Sequence, residues 1–122
     1  MVQYVLKWNI RPVKTDYGDW AKSAIQRTLA VPGVIEFGAF RPMTGSHQVV
    51  VYYQFMDVAA WATWRETDEV QQVFDELYEY GSEVEMELWG PSPVVPQPLR
   101  PLNQYPTILG AYQNVRGKLI EA

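Results

Sequence analysis

Val34-Ile35-Glu36-Phe37-Gly38-Ala39-Phe40-Arg41 and Gln48-Val49-Val50-Val51-Tyr52-Tyr53-Gln54-Phe55 are two runs rich in β-branched and aromatic residues, with Pro42-Met43-Thr44-Gly45-Ser46 between them. The proline and glycine supply the backbone angles that a chain reversal needs, so the pair reads as a β-hairpin. Apolar side chains fall on both faces of the second run, at Val49-Val50-Val51-Tyr52-Tyr53, whereas a hairpin with one wet face alternates. Each face is therefore expected to be covered, one by helices of the same chain and the other by a partner.

Working outward from the hairpin, Pro32-Gly33 stops a stretch in which Tyr17, Trp20, Ala21, Ala24, Ile25, Thr28 and Leu29 recur at helical spacing. Asp16 stands where a carboxylate can accept the free amide hydrogens of the first turn, and Asp19 complements the helix dipole. Further out, Val2, Tyr4, Leu6, Trp8 and Ile10 alternate with Gln3, Val5, Lys7, Asn9 and Arg11, a first strand closed by Pro12. On the other side, Asp57 is placed to cap a short helix through Trp61 and Trp64. Asp68 is placed to cap a second, with the stripe Val70, Val73, Phe74, Leu77 and Tyr78, and Gly81 is expected to end it in a left-handed conformation. Val84, Met86 and Leu88 then alternate with Glu83, Glu85 and Glu87, a fourth strand that Gly90-Pro91 ends.

The order strand, helix, strand, strand, helix, strand predicts an α+β fold of the ferredoxin-like βαββαβ kind, an antiparallel sheet with its helices on one face. The last strand should lie beside the first, so that Lys7 and Arg11 face Glu83, Glu85 and Glu87. This domain spans residues 1–90. Residues 91–122 form a proline-rich extension containing Pro91, Pro93, Pro96, Pro98, Pro101 and Pro106. Ile108, Leu109, Tyr112, Val115, Leu119 and Ile120 suggest a short helix at its end.

Composition narrows the function classes. The 122 residues suit one domain with a modest core. Five Trp, eight Tyr and four Phe give a surplus of aromatic surface for cores, interfaces or pockets for flat apolar ligands. A net charge of −4 and a pI near 4.9, without any basic run, argue against nucleic acid or an anionic membrane as partner. With no cysteine there is no disulfide framework, thiolate metal site or cysteine nucleophile. No apolar run approaches the ~20 residues of a membrane span, and no basic stretch precedes an apolar one at Met1–Lys7, so a cytoplasmic location is expected.

The run Pro32-Gly33-Val34-Ile35-Glu36-Phe37, the strand ending Tyr52-Tyr53-Gln54-Phe55, and Asp57-Val58-Ala59-Ala60-Trp61-Ala62-Thr63-Trp64 with Thr67-Asp68-Glu69-Val70 resemble the antibiotic biosynthesis monooxygenase-like family. The resemblance covers about residues 2–90. It implies a dimeric α+β barrel, a homodimer whose sheets face each other, with a cavity between sheet and helices in each subunit. It also implies cofactor-free oxygenation of electron-rich aromatic polyketides or quinols, or haem degradation. In the haem-degrading branch an Asn, a Trp and a haem-ligating His recur. Asn9 and Trp64 match the first two, and Phe74 stands at the position of the His, where no iron ligand is possible. Ala60 stands where the polyketide oxygenases have an Asn.

The site expected from these residues is a pocket near Asn9, Trp64, Phe74 and Tyr53, with Trp61 beside it and neither metal nor cofactor. Asn9 would orient an oxygenated group and Trp64 would stack on a flat ligand; Trp8 and Trp20 read as packing. The general base is open, with Tyr53 or a carboxylate as candidates. His47, the one histidine, is expected to be solvent-exposed. Glu83, Glu85 and Glu87 read as a solvated or salt-bridged row rather than a cation site. Arg41 and Arg65 are each able to hold an anionic group. Ser23 and Ser46 have no nucleophile's partners, and no glycine loop cradles phosphate. Two functions follow: a cofactor-independent monooxygenase-like enzyme acting on a small aromatic molecule, or a non-catalytic dimeric binding or structural module.

Overall fold

Four strands, β1 (Val2–Ile10), β2 (Glu36–Phe40), β3 (Val49–Phe55) and β4 (Gly81–Trp89), form one antiparallel sheet of order β2-β3-β1-β4. Between them run α1 (Tyr17–Ala30), α2 (Val58–Arg65) and α3 (Asp68–Tyr80). This is the ferredoxin-like α+β arrangement, with the last strand beside the first and antiparallel to it. The computed structural model describes residues 1–101. The chain divides into two units, Met1–Pro91 and Ser92–Ala122, and the sheet and helices belong to the first. Residues 92–101 contain no helix or strand, and the helix expected around Tyr112 and Leu119 lies outside the described residues. No described helix is long and apolar enough to cross a membrane.

Alternation along the strands decides which side chains meet. Tyr4, Leu6 and Trp8 of β1 pair with Tyr53, Val51 and Val49 of β3, and all six are buried on the helix-covered face. The opposite face carries Lys7 in register with Glu85, as expected, whereas Glu87 pairs with Val5 and Glu83 has no partner in the register. Arg11 lies beyond that register, its amide donating to the Tyr80 carbonyl at 2.9 Å.

Four local details differ from expectation, each for a physical reason. The Asp16 side chain makes no cap bond to α1; it accepts the hydroxyl of Tyr80 at 2.8 Å instead. The cap of α3 is Thr67, whose hydroxyl accepts the Val70 amide, so Asp68 becomes the first helical residue and serves the dipole there. Gly81 has φ −117° and ψ 151°, which makes it the first residue of β4 rather than a left-handed terminator. Its lack of a side chain matters for space: a Cβ there would lie 3.0 Å from the Trp8 ring. The left-handed residue is Glu83, at φ 53°. The pairing steps two residues on β1, from Lys7 to Asn9, and three on β4, from Glu85 to Ser82, so Glu83 sits in a β-bulge. Asp57 caps α2 as expected, accepting the Ala60 amide at 2.9 Å.

The densest part of the core surrounds Trp64, which is fully buried. Its ring meets Tyr53, Phe55 and Phe74 at centroid distances of 4.8, 5.0 and 5.8 Å. Its indole N–H donates to the Thr28 carbonyl at 3.0 Å. Thr28, also fully buried, donates its hydroxyl to the Ile25 carbonyl and so accepts that of Tyr53 at 3.0 Å. In urea denaturation Thr28→Val should lower stability by about 1–3 kcal/mol, because it leaves the Tyr53 hydroxyl buried without an acceptor. Trp64→Ala should cost about 3–5 kcal/mol. A Thr28→Val midpoint equal to that of wild type would mean that the hydroxyl chain contributes nothing.

Candidate functional site

An open cavity of about 370 Å³ lies between the inner sheet face and helices α1 and α3. That is within the ~300–1,000 Å³ typical of small-molecule sites. It exists because small residues oppose each other: Gly18, Ala21 and Ala24 on α1, and Ala39 on β2. The floor is Leu6, Val49 and Val51, and Val73, Phe74 and Leu77 of α3 form the far wall. Aromatic rings of Trp8, Tyr17, Trp20, Phe37, Phe40 and Tyr53 also line it, with Ile25 and Arg41, and no Asp, Glu or His is among the lining residues.

The aromatic residues at one end are held by polar contacts. Glu76 of α3 accepts a forked pair from Arg27 at 2.5 and 3.2 Å, and the Trp20 indole N–H at 2.8 Å. Trp20 also stacks on Tyr80, with centroids 4.6 Å apart and planes 7° from parallel. The Arg27 guanidinium, with bonds from Gln72 and Trp20, pulls the Glu76 carboxyl from 4.5 down to about 2. Trp8 donates its indole N–H to the Tyr17 oxygen at 3.1 Å.

Of the residues singled out from sequence, Tyr53 and Phe74 line the cavity, while Trp64, Trp61 and Asn9 do not. Trp64 stands behind Tyr53 and Phe74 as packing. Trp61 is half-buried edge-on to Tyr4 at 5.4 Å, its buried N–H without a partner among the described residues. Asn9 alternates with Trp8 and so belongs to the other sheet face; it accepts the Gln48 amide at 2.8 Å and donates to Glu83 at 3.3 Å. Arg65 lies over the Phe74 ring, 4.6 Å from its centroid. His47 is less exposed than expected, its side chain 15% accessible, with its ring nitrogen 3.1 Å from the Glu83 carbonyl oxygen and 3.7 Å from Glu85.

Tyr53 is a poor base. Burial pushes its phenol up to about 12, and its proton is donated to Thr28. Sequence reasoning took Trp8 and Trp20 as packing and left Tyr17 and Phe37 out of the site, although all four line the cavity. The available signal was the small-residue stripe Gly18, Ala21, Ala24 on a helix that otherwise presents aromatics.

A family model described as antibiotic biosynthesis monooxygenase matches residues 7–76, more than half of the chain. The chain belongs to the antibiotic biosynthesis monooxygenase family. No curated protein matches it at a significant level. Among solved structures, a ferredoxin-like protein of the dabb family from Mesorhizobium loti is similar, with TM-score 0.67 and 14% identity over 75% of this chain and 96% of that one. SnoaB from Streptomyces nogalater, a cofactor-independent oxygenase solved as a mutant, has TM-score 0.64 and 12% identity over 79% and 97%. A dimeric ferredoxin-like protein of unknown function from Bacteroides fragilis has TM-score 0.58 and 14% identity over 72% and 93%. At these identities the likeness is one of fold. The matched segment of this monooxygenase-family chain begins at Lys7 on β1 and ends at Glu76 on α3, so it includes most of the cavity lining.

The Glu76 cluster has a pH signature. A carboxyl lowered from 4.5 to about 2 in the folded state stabilises the fold above pH 4.5, and that contribution disappears as pH falls towards 2. Both partners are partly solvent-exposed, which limits the contribution to about 1 kcal/mol. The stability difference between wild type and Glu76→Gln, followed by urea denaturation, should be largest above pH 5 and shrink towards pH 2. A difference constant across that window would show that the carboxylate's charge contributes nothing.

Proposed function

We propose that this protein binds a small, flat, largely apolar molecule in the cavity between α1, α3 and the sheet, and acts on it as a cofactor-independent monooxygenase. The observation that carries the reading is the cavity itself: a space of ligand size, walled by aromatic and aliphatic side chains, within the family-matched segment. A polyketide- or quinol-like substrate suits such walls. In this chemistry the ionised, electron-rich substrate reduces dioxygen. One oxygen atom enters the product, the other leaves as water, and the substrate supplies the electrons. The protein excludes water and stabilises the anion.

In this reading Tyr53 and Phe74 touch the ligand, and Trp64 acts as a positioning residue behind them. Trp61 supports Tyr4 in the same core, and Asn9 fixes the end of the hairpin against β1. The family similarity to SnoaB, described as a cofactor-independent oxygenase, supports the reaction class. A second reading, a ligand-binding module without turnover, is favoured by the lining's lack of His, Asp or Glu to serve as base.

Self-association through the outer sheet face belongs to the same proposal. Phe40 and Trp89 are exposed on or beside that face, and Phe40 stacks on Tyr52 with centroids 6.1 Å apart. The Tyr52 ring lies across Gly38, where a Cβ would collide with it, and its hydroxyl donates to Glu36. A second copy would bury this apolar strip, and the Bacteroides fragilis neighbour is described as dimeric.

Ala21→Trp places an indole in the cavity. Titrating naphthoquinols and hydroxyanthraquinones while following oxygen uptake should show binding and uptake by wild type, both abolished by Ala21→Trp with the melting temperature retained. Binding without uptake would support the module instead, and no binding by wild type would remove the cavity as a site. By sedimentation, wild type should run at twice the chain mass and Tyr52→Glu at the chain mass. A monomeric wild type would exclude the dimer.

A further inference from the structure

Five lining residues carry nitrogen or oxygen in their side chains: Trp8, Tyr17, Trp20, Arg41 and Tyr53. Three are already engaged. The Trp8 indole donates to Tyr17, the Trp20 indole to Glu76, and the Tyr53 hydroxyl to Thr28. Two donors are left over. The Tyr17 oxygen accepts from Trp8, so its own hydrogen is free to point elsewhere. The Arg41 guanidinium makes no ion pair or side-chain hydrogen bond among the described residues. The other two arginines near the cavity are committed, Arg27 to Glu76 and Arg65 to the Phe74 ring and the Tyr4 hydroxyl.

Among the described residues the lining's uncommitted N–H and O–H hydrogens therefore belong to Tyr17 and Arg41, the latter carries a full positive charge, and no acidic side chain shares the wall with them. Arg41 is exposed and follows the last residue of β2, so it stands at the open end of the cavity rather than in its floor. Its charge reaches the Tyr17 hydroxyl, where it opposes the effect of burial. Burial prevails and keeps that phenol protonated well above neutral pH, so Tyr17 remains a donor. A neutral ligand would leave the guanidinium unmatched and a cation would be repelled. An anionic oxygen would meet a forked donor and a hydroxyl beside apolar walls that weaken competition from water.

We propose that Arg41, assisted by the Tyr17 hydroxyl, is the specificity-determining anion anchor of the cavity. Its ligands are flat apolar molecules bearing one carboxylate or one ionised enol or phenol oxygen. The inference rests on the cavity being the ligand site. It also answers the missing base: a substrate held through an anionic oxygen is selected in its ionised form, and no lining residue has to remove the proton.

The test uses two probes of nearly equal size and shape, 2-naphthoate and 2-acetylnaphthalene, which differ in charge, titrated calorimetrically into the full chain. Wild type should bind the carboxylate about tenfold or more tighter than the ketone, as a charge-assisted hydrogen bond allows. Rising salt should narrow that preference. Arg41→Gln should abolish it by weakening the carboxylate far more than the ketone, with the melting temperature unchanged, Arg41→Lys should retain part of it, and Tyr17→Phe should reduce it several-fold. Equal affinities in wild type, or a preference that survives Arg41→Gln, would overturn the anchor while leaving the cavity as a ligand site. Failure of both probes to bind would overturn the cavity reading, and the anchor with it.

Discussion

Thr28 is the point on which the interior depends. It is the one buried polar residue of the core among the described residues, and three elements meet there. Its carbonyl takes the Trp64 indole from α2, and its hydroxyl takes the Tyr53 phenol from β3. Both donors are large aromatics that could not be buried cheaply without an acceptor. Satisfying them at one place on α1 fixes the C-terminal half of that helix against the sheet. The same contacts pack Trp64, Phe55, Tyr4 and Phe74 into one end of the layer between sheet and helices. The other end, towards the start of α1, is left to small residues.

That division accounts for the chemistry available to the site. Helix α1 packs on α3, and where it carries Gly18, Ala21 and Ala24 it faces the cavity. Glu76 holds α1 and α3 together through Arg27 and Trp20, so one carboxylate both joins the helices and fixes an aromatic residue of the cavity wall. The phenol of Tyr53 faces the filled end and is locked protonated, while its ring faces the open one. Phe74 continues the hydrocarbon wall. A cavity of this kind has the size and walls that suit a flat apolar molecule, and its lining residues include no carboxylate or imidazole.

The fold was legible because strands and helices bury different periods. The alternation of Val2–Ile10, the hairpin 34–55 and the alternation of Val84, Met86 and Leu88 place the four strands, and Asp57 marks the start of α2. Competition between partners misled the finer reading: Asp16 had two possible uses, a helix cap and the Tyr80 hydroxyl, and only the folded chain brings Tyr80 within reach. The role of Gly81 depended on the distance to Trp8, which spans most of the chain. For the site, Tyr53 and Phe74 lie on the core-facing stripes of β3 and α3 and were accessible to periodicity. Asn9 had the opposite parity from Leu6 and Trp8, a fact already present in the alternation of β1. What no periodicity encodes is an empty volume, because it depends on which small residues of α1 come to face which strand.

Strand β2 joins the two faces of the sheet. Along Gly38-Ala39-Phe40 the side positions alternate: Gly38 lies beneath the Tyr52 ring, Ala39 opposes Val51 over the cavity, and Phe40 returns to stack on Tyr52. Arg41 comes one residue later, where the strand ends. The backbone that carries Arg41, which is unpaired among the described residues, is thus continuous with the strand whose Phe40 stacks on Tyr52 and also borders the cavity. The outer aromatic stack and the inner cavity thus draw on alternate residues of one five-residue edge strand.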